Sequence, residues 1–393
     1  MMRTYQRGMT LVELLVAMAM GLAVTLVVST LLVAGENHKR TTTSTNDADQ
    51  TGAYAFHALD RAIRGAGSAI AESAYPSDRG VLGCTLNVNS GFLPRTSAFP
   101  APFATLFSTT TSGSIRVAPI LIGQGMSDNS TSDVLVVMSG SGAAGGVSRP
   151  EYGAGGSTSL ILESTVGFNQ YDLTLVSQPG IADCLLEEVA SSSASALTLG
   201  TTSPYYYTSS SSSASLATLA GSTQSYVTPL GNAAANDVQF LLFGVGTNDT
   251  LYSYDLLQNA ALVQGLGADS SQAITDGVIQ MNAIYGIEST SAPGTIGTWA
   301  GPGDTGYGIA AVMSTPATMK TIIAVRVALV VRGEYYDKNL VSPTSLTIFS
   351  GYSRTDGTSL SQPVNLSQTD QHYRYRVFEF TVPLRNMILL AGA

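Results

Sequence analysis

The chain has 393 residues, of which 11% are charged and 44% are hydrophobic, and its net charge is −9. This length fits one large domain or two ordinary ones, and the low charge content excludes a highly charged disordered chain. Because no Lys or Arg lies between Glu151 and Met319, a large basic surface for nucleic acid is also excluded. The basic residues near the C-terminus are expected to form a solvated strand face.

The N-terminus is a short basic segment followed by a long apolar run. Residues 1–8 include two arginines, and the 22 residues from Leu14 to Gly35 carry no charge. A helix of that length is about 33 Å long, enough to cross a bilayer core of about 30 Å. The basic segment favours a cytoplasmic N-terminus with the bulk of the chain outside, although Lys39 and Arg40 beyond the span weaken that argument.

Glu13 lies inside the hydrophobic segment, five residues after Gly8. An ionised acid at membrane depth is costly, about 2.5–3.5 kcal/mol at the centre of a span. The span offers no other charge as a partner. The sequence therefore predicts that Glu13 pairs with an N-terminal amine, a lipid head group or another protein.

The segment from Arg7 to Glu13, together with the apolar run, resembles the class III signal of type IV prepilins and pseudopilins. The resemblance implies that a dedicated membrane peptidase cuts between Gly8 and Met9 and methylates the new N-terminus at Met9. It also implies that Glu13 is the glutamate that the family keeps for subunit assembly. Met9 stands where phenylalanine is commonest, and Thr30 stands where many major pilins have a helix-kinking proline.

A second helical pattern continues the span into the rest of the chain. Residues 36–51 contain no proline, and apolar side chains then recur at helical spacing until Gly67 and Pro76 oppose the helix. These apolar residues are Phe56, Leu59, Ile63, Ala66 and Ile70. We therefore predict one helix from about residue 10 to about residue 66, with its first half in lipid and its second half packed on a domain.

Beyond residue 76 the pattern predicts β-structure. Short apolar or alternating runs between turn residues favour an antiparallel sheet over repeating βαβ units. The predicted strands are 133–138, 159–162, 173–176, 238–243, 278–285, 321–332 and 372–378. The predicted fold class is α+β, with a long N-terminal helix packed on a mostly antiparallel β-sheet domain that has long loop insertions.

Composition divides the chain into segments. The predicted segments are a leader at 1–8, a transmembrane helix at 9–35, an amphipathic continuation and linker at 36–75, and a β-rich globular domain at 76–393 that contains a low-complexity insertion at 185–235. Within that domain, the Ser-rich residues 191–225 are expected to be a mobile loop or an exposed hairpin, and the Gly-rich residues 139–157 a loop.

Cys84 and Cys184 are the two cysteines. There is no CxxC motif, no histidine lies near either cysteine, and a zinc site needs more ligands. For an exported domain we predict a disulfide between them, and the alternative is a pair of buried free thiols.

Later segments resemble the PilW family of minor pilins. They are residues 50–67, 82–84, 174–184, 274–286, 325–332 and 375–386. The resemblance implies a pilin-like fold. It also implies a minor pilin that primes the assembly of type IV pili and is incorporated into them at or near the tip, supporting twitching motility, adhesion or DNA uptake.

The same resemblance implies partners and a location. The implied partners are the prepilin peptidase, other minor pilins, the major pilin and the pilus assembly machinery of the inner membrane. The implied location is a single-pass inner-membrane protein with a periplasmic C-terminal domain, and later the pilus. A type II secretion pseudopilin is one alternative, although its mature domain is usually much smaller. A pilin-anchored adhesin or receptor for a surface or DNA is another.

Motifs of catalysis are missing from the sequence: there is no HExxH, GxSxG, Walker A or dinucleotide fingerprint. The three histidines, His38, His57 and His372, have no catalytic neighbour in sequence. The acids Asp128, Asp133 and Asp304 could bind calcium, but their spacing does not match an EF-hand, and solvated turn carboxylates are the favoured interpretation. We predict a protein without enzymatic activity, cofactor or metal.

Overall fold

A computed structural model describes residues 9–71, 81–89, 92–95, 97–109, 114–141, 147–207, 215–257 and 270–391. The predicted leader, including Gly8, lies outside the described residues, as does the centre of the Ser-rich segment.

One helix, α1 (Leu11–Gly65), begins the described part of the chain and runs unbroken for 55 residues. At 1.5 Å per residue it is about 82 Å long. This confirms the predicted helix from about residue 10 to about residue 66. Among the described residues, α1 is the one helix long and apolar enough to cross a membrane.

The two halves of α1 have different surroundings. Side chains in the apolar half are exposed all around the helix, such as Met18 at 60% and Leu22 at 69%. From Ser44 onward, one stripe of the helix is buried against the domain. Ala55 and Leu59 are fully buried at helical spacing, and Phe56 makes an edge-to-face contact with Phe380 at 4.5 Å between ring centroids.

The packed half of α1 lies on a four-stranded antiparallel sheet. Its strands are β13 (Val278–Glu288), β14 (Ile296–Ala300), β15 (Ile322–Arg332) and β18 (Tyr375–Pro383), in the order β14-β13-β15-β18. The central strand β15 is buried on both faces, which explains its nearly continuous apolar sequence. Val327 and Leu329 join the core beneath α1, whereas Ala328 and Val330 face a hairpin on the other side.

That hairpin consists of β16 (Ser345–Ile348) and β17 (Gln362–Asn365). Ile348, Phe349 and Val364 pack on the outer face of the four-stranded sheet. The sheet is therefore sandwiched between α1 and the hairpin.

A five-stranded antiparallel sheet lies beside the first. Its strands are β2 (Ile120–Gly123), β3 (Val134–Ser139), β10 (Gln239–Val245), β11 (Thr250–Asp255) and β12 (Gln272–Asp276), in the order β12-β11-β10-β3-β2. The backbone N–H of Ile122 donates to the hydroxyl of Tyr285 in β13 at 2.6 Å, and Gly67 after α1 donates to the carbonyl of Met138 in β3 at 2.9 Å. These bonds tie the second sheet to the first and to the helix.

A seven-stranded sheet contains the remaining strands. They are β1 (Thr85–Asn87), β4 (Arg149–Pro150), β5 (Ser159–Ile161), β6 (Asp172–Ser177), β7 (Asp183–Ser192), β8 (Ala196–Leu199) and β9 (Tyr226–Asn232). The order is β4-β9-β6-β7-β8-β5, and β1 pairs with β7 in parallel. All other strand pairs described are antiparallel, which confirms the predicted fold class.

The seven-stranded sheet lies beyond the C-terminal end of α1. Ser141 donates its backbone N–H to the carbonyl of Leu230 in β9 at 2.7 Å, and the adjacent Gly140 donates to Ser68 just after α1 at 3.0 Å. The sheet is thus at the end of the domain opposite the span.

Short helices connect the sheets. They are α2 (Ala104–Thr109), α3 (Leu216–Ala220), α4 (Ile309–Ser314), α5 (Pro316–Thr321) and α6 (Arg385–Ala391). Asn386 in α6 donates its side-chain amide to the carbonyls of Gly65 and Ala66, at 3.4 and 2.9 Å. The C-terminal helix therefore caps the end of α1.

Of the two interpretations of the Ser-rich segment, the exposed hairpin agrees with its first part, where β7 and β8 pair antiparallel and residues 191–195 are exposed. The rest of its described residues contain more regular structure than a mobile loop. Residues 185–235 include most of β7 and all of β8, α3 and β9. Leu197 and Leu216 are fully buried in a hydrophobic cluster of their own. Leucines dispersed among serines are a weak pattern, but they supply enough apolar surface to order the segment around them.

The strand predicted at 372–378 begins later than the alternation suggests. Residues Asp370–His372 form a single 3-10 turn, and β18 starts at Tyr375. The Asp370 carboxylate accepts the backbone N–H of Ser367 at 3.1 Å, which is a local capping interaction that competes with the strand.

Gly333 provides a test of how tightly the domain holds α1. A β-carbon at Gly333 would lie 2.8 Å from the backbone carbonyl oxygen of Ser44, and neither backbone can yield freely. Gly333→Ala should therefore lower the free energy of unfolding by about 1–3 kcal/mol. Urea unfolding of the full chain in detergent, followed by the fluorescence of Trp299, measures it.

The matched control is Gly35→Ala, because a β-carbon at Gly35 meets nothing within 4 Å. This control should leave the unfolding midpoint of the domain unchanged. Equal midpoints for Gly333→Ala and Gly35→Ala would show that the helix and the sheet are not in tight contact there.

Candidate functional site

The N-terminal turn of α1 presents Glu13 next to the start of the described chain. Thr10 caps the helix: its hydroxyl accepts the backbone N–H of Glu13 at 3.3 Å. In return, one Glu13 carboxylate oxygen accepts the Thr10 backbone N–H and hydroxyl, both at 3.0 Å. This reciprocal pair is a capping box, and an acid in the first turn is also stabilised by the helix dipole.

Thr10 is a partner of Glu13 within the chain, in addition to the external partner predicted from the sequence. The signal was present as Thr10-Leu11-Val12-Glu13, the T-x-x-E spacing of a capping box. These hydrogen bonds hold the carboxylate at the helix tip, four residues after Met9, which is 69% exposed. The Glu13 side chain is itself exposed, so a cation from another molecule can approach it.

The apolar half of α1 needs a partner that the described residues do not supply. Leu22, Val27 and Leu32 are 69%, 55% and 69% exposed, and at five-residue intervals they point to three different sides of the helix. A helix that is apolar all round is stable only in lipid or among other apolar helices. By its chemistry this half fits a membrane-anchored pilin, since either lipid or other apolar helices would cover it.

Cys84 and Cys184 form a disulfide, as predicted. Their Cα atoms are 5.7 Å apart, and both residues are buried. Cys84 directly precedes β1, and Cys184 pairs with Leu86 across the parallel β1–β7 contact. A cross-link between residues 100 positions apart stabilises by up to about 4.7 kcal/mol in the chain-entropy model. The bond fastens the seven-stranded sheet to the segment that follows α1.

The three acids that could bind calcium do not come together. Asp133 is not a solvated turn carboxylate as expected: it is buried and accepts backbone N–H groups from Gly125 at 3.0 Å and Ala283 at 2.9 Å. Burial raises its pKa to about 6. Asp304 pairs with Arg354 at 2.8 Å, and Asp128 is exposed. Asp133 therefore joins the five-stranded sheet to β13.

The histidines are also separate. His38 and His57 are exposed on α1, and the His372 ring contacts the carbonyl of Asp337 at 2.8 Å. Among the residues that the structure describes, no group of three or more His, Cys, Asp or Glu side chains could hold a metal ion.

Glu187 is a buried acid in the seven-stranded sheet. Its side chain is fully buried in β7, where one carboxylate oxygen accepts the backbone N–H of Tyr207 at 3.3 Å and the other has no partner among the described residues. Burial raises the pKa of Glu187 to about 9. At neutral pH this carboxyl is therefore protonated in the folded protein.

Two family models match the chain. Residues 3–34 match the prokaryotic N-terminal methylation motif, and residues 243–386 match the type IV pilus-assembly protein W family. Comparison with curated proteins and with solved structures found no match. The first match covers most of the predicted leader and the apolar half of α1. The second covers the four-stranded sheet with its hairpin, and also β11, β12 and the end of β10. Both support a type IV pilus-associated pilin, in agreement with the resemblance read from the sequence.

Residues 35–242 lie between the two matched ranges. They contain the packed half of α1 and the whole seven-stranded sheet. The two matched ranges thus hold the apolar half of α1 and the four-stranded sheet, and neither range includes a strand of the seven-stranded sheet.

The Glu187 carboxyl gives a pH-dependent prediction. Its folded-state pKa is raised above the ordinary value of 4.5, so its contribution to stability is complete below about pH 4.5 and is lost as the pH rises toward 9. Glu187→Gln should equal the wild type at pH 4 and exceed its free energy of unfolding by about 1–3 kcal/mol at pH 8. Chemical denaturation of both chains across this pH range tests it.

Glu163→Gln is the control, because Glu163 is an exposed acid in the same part of the domain. It should give no pH-dependent gain. Other buried acids titrate in both chains and cancel in the difference. A Glu187→Gln chain that is no more stable than the wild type at pH 8 would contradict the assignment.

Proposed function

We propose that this pilin is a minor pilin, which primes the assembly of a type IV pilus and is incorporated at or near the tip. The observation that carries the proposal is the continuity of α1. One unbroken helix is bare and apolar from Leu11 to Gly35, and from Ser44 to Gly65 it is part of the domain core. A subunit of this kind can leave the bilayer for a filament without refolding.

The two environments of the apolar half are energetically similar. In the bilayer, lipid tails cover the exposed leucines and valines, and in a filament core the apolar helices of neighbouring subunits cover the same side chains. The transfer therefore costs little apolar contact. The two states differ in which groups can pair with a charge on the helix. Glu13 is the charged residue at the N-terminal end of the apolar half.

Glu13 is proposed to meet the N-terminal amine of a neighbouring subunit. After the leader is removed that amine belongs to Met9, four residues before Glu13, so the same helix tip offers both a cation and an anion. Pairing between subunits neutralises two charges that are each costly in apolar surroundings. The capping box with Thr10 holds the acid at the tip, which would set the axial register of adjacent helices.

The position of the seven-stranded sheet supports a place at the tip. This sheet lies beyond the C-terminal end of α1, on the side away from the span. Within a filament shaft, the next subunit toward the tip would need that space. At the end of the filament no subunit lies in that direction, so the seven-stranded sheet has room there.

The proposal carries with it a location and partners. The subunit is held in the inner membrane with its C-terminal domain in the periplasm, is cut by the prepilin peptidase, and then joins other minor pilins, the major pilin and the assembly machinery. Twitching motility, adhesion or DNA uptake would depend on the pilus it helps to build. No catalytic role is part of the proposal.

Leader removal is the first consequence that can be measured. The protein extracted from membranes should begin at N-methylated Met9, as determined by mass spectrometry. Gly8→Glu should leave the leader attached, because a charged residue replaces the small one at the cut, whereas Gly8→Ala should often be processed. An intact Met1 in the wild type, or a cut beyond residue 30, would contradict the proposal.

Glu13→Ala should separate folding from assembly. Glu13 lies at the far end of α1 from the domain core, so the variant should insert, be cleaved and fold as the wild type does. It should then be strongly depleted from sheared pili, or fail to initiate them. Immunoblots of membrane and sheared pilus fractions, together with counts of surface pili, measure both steps.

Glu36→Ala is the matched control on the same helix. Glu36 is an exposed acid that pairs with Arg40 at 3.3 Å, just beyond the apolar half. Its loss should leave the amount of protein in pili unchanged. Wild-type levels of Glu13→Ala in pili, with normal piliation, would show that Glu13 does not determine assembly.

A further inference from the structure

The direction of β15 fixes which end of the domain faces the span. At its start, the carbonyl of Ile323 accepts the backbone N–H of Leu384, which leads into α6 and so to the C-terminal end of α1. At its other end, Gly333 packs against Ser44, the first buried residue of the helix. The strand thus runs toward the span, antiparallel to α1.

Two segments extend past the end of the sheet in that direction. Residues 333–344, here called the base loop, follow β15, and residues 366–374 precede β18. Backbone hydrogen bonds join them: Gly333 N–H to the Arg374 carbonyl and Asp337 N–H to the His372 carbonyl, both at 2.8 Å. The chain then turns back into β16 on the outer face of the sheet, so the base loop is a reversal at the end of the domain nearest the span.

The base loop exposes three large side chains. Tyr335, Tyr336 and Leu340 are 42%, 52% and 55% exposed. Tyr336 is held in place, because its ring stacks on His372 at 4.7 Å between centroids and meets Tyr373 edge-on at 5.6 Å. The aromatic surface is therefore a fixed part of this end of the domain.

Distances along α1 place this surface at the bilayer. Nine residues separate Ser44 from Gly35, the last residue of the apolar run, which is about 13 Å of helix. Tyr336 is three residues beyond Gly333, which spans at most about 10 Å. The polar head-group layer of a bilayer is about 5–8 Å thick on each side, so its outer part lies within the reach of Tyr336.

The chemistry of the base loop fits a lipid surface better than a charged partner. The negative charges of Glu334 and Asp337 are balanced by Lys338 and by Arg374, which pairs with Asp337 at 3.0 Å. Tyrosine has an apolar ring and a polar hydroxyl, and it is enriched where membrane and water meet. A nearly neutral surface with two tyrosines and a leucine therefore suits the head-group layer of zwitterionic lipid.

We propose that the base loop docks on the lipid head-group layer through Tyr335, Tyr336 and Leu340 while α1 spans the bilayer. The domain is thereby held against the membrane in one orientation until the subunit is withdrawn. This inference rests on the membrane-anchored stage of the proposed function and does not depend on incorporation into a pilus.

A single tryptophan reports the contact. Trp299 is the only tryptophan of the chain, so Trp299→Phe provides a background into which Tyr336→Trp is introduced. The full chain is placed in phosphatidylcholine nanodiscs whose acyl chains are brominated near the head group. We expect the Tyr336→Trp chain to lose more than about half of its emission relative to unbrominated lipid, as an interfacial residue should.

Tyr152→Trp is the matched control, because Tyr152 is also 52% exposed but lies next to the seven-stranded sheet, where its backbone N–H bonds to the carbonyl of Ile161 at 2.9 Å. Its emission should be unchanged by brominated lipid. Adding Tyr335→Ser and Leu340→Ser to the Tyr336→Trp chain should reduce the quenching. Equal quenching at positions 336 and 152 would overturn the proposal.

Val33→Trp in the same background separates the two ideas, because Val33 is 62% exposed and lies two residues from the end of the apolar run, at the depth of the bromines. Strong quenching at position 33 without quenching at position 336 would leave the membrane anchor in place and overturn only the docking of the base loop. No quenching at position 33 would remove both. Emission at position 336 that changes with protein concentration and not with lipid would assign the loop to a second copy of the chain, which also overturns the proposal. Should the Trp299→Phe chain not fold, the same comparisons are made with Trp299 present and its emission subtracted.

Discussion

The structure depends on the contact between the second half of α1 and the four-stranded sheet. The helix is apolar on every side up to Gly35, and it continues without a break into the domain. It changes there from an all-apolar surface to a single buried stripe, with Ala55, Leu59 and Ile63 beneath β15 and β18. The apolar half supplies no stability to the domain, so the packed half must fix the position of the whole helix. The tight contact at Gly333 and the cap from Asn386 lie at the two ends of that packed half.

The other sheets are organised around this contact. The five-stranded sheet is joined to β13 by the buried Asp133 and by the hydroxyl of Tyr285, which are polar bonds between two apolar layers. The seven-stranded sheet packs on both faces: Leu173, Leu186 and Leu230 join the main core that contains α1, whereas Val176, Leu185 and Val189 belong to a second hydrophobic cluster. The Cys84–Cys184 bond links β7 of this sheet to the residue just before β1. The seven-stranded sheet is therefore continuous with the core that holds α1.

The sequence was most informative where one pattern extended over many residues. The helix was predicted to within a residue or two because apolar spacing and the lack of proline agree over its whole length. The long strand β15 was also predicted, but burial of both its faces depends on a hairpin that comes later in the chain. Composition left the Ser-rich segment open between a loop and an exposed hairpin, and β7 and β8 form the hairpin, because a few leucines are enough to order the chain once a sheet is available for packing. Asp133 was interpreted as solvated because a carboxylate that accepts two distant backbone N–H groups has no local signature. The Thr10 cap did have one, the T-x-x-E spacing, and was overlooked.

The way in which α1 is fastened determines how a pull on the domain would be carried. Arg376 of β18 pairs with Asp49 near the start of the packed half at 3.2 Å, and Asn386 binds the carbonyls of Gly65 and Ala66 at its end. These attachments are about 24 Å apart along the helix, with the apolar stripe between them. A tensile load along α1 would act on all of them in shear and at the same time, instead of peeling them apart in sequence. Separation of the domain from α1 would then require the rupture of a whole interface, whose strength grows with its length.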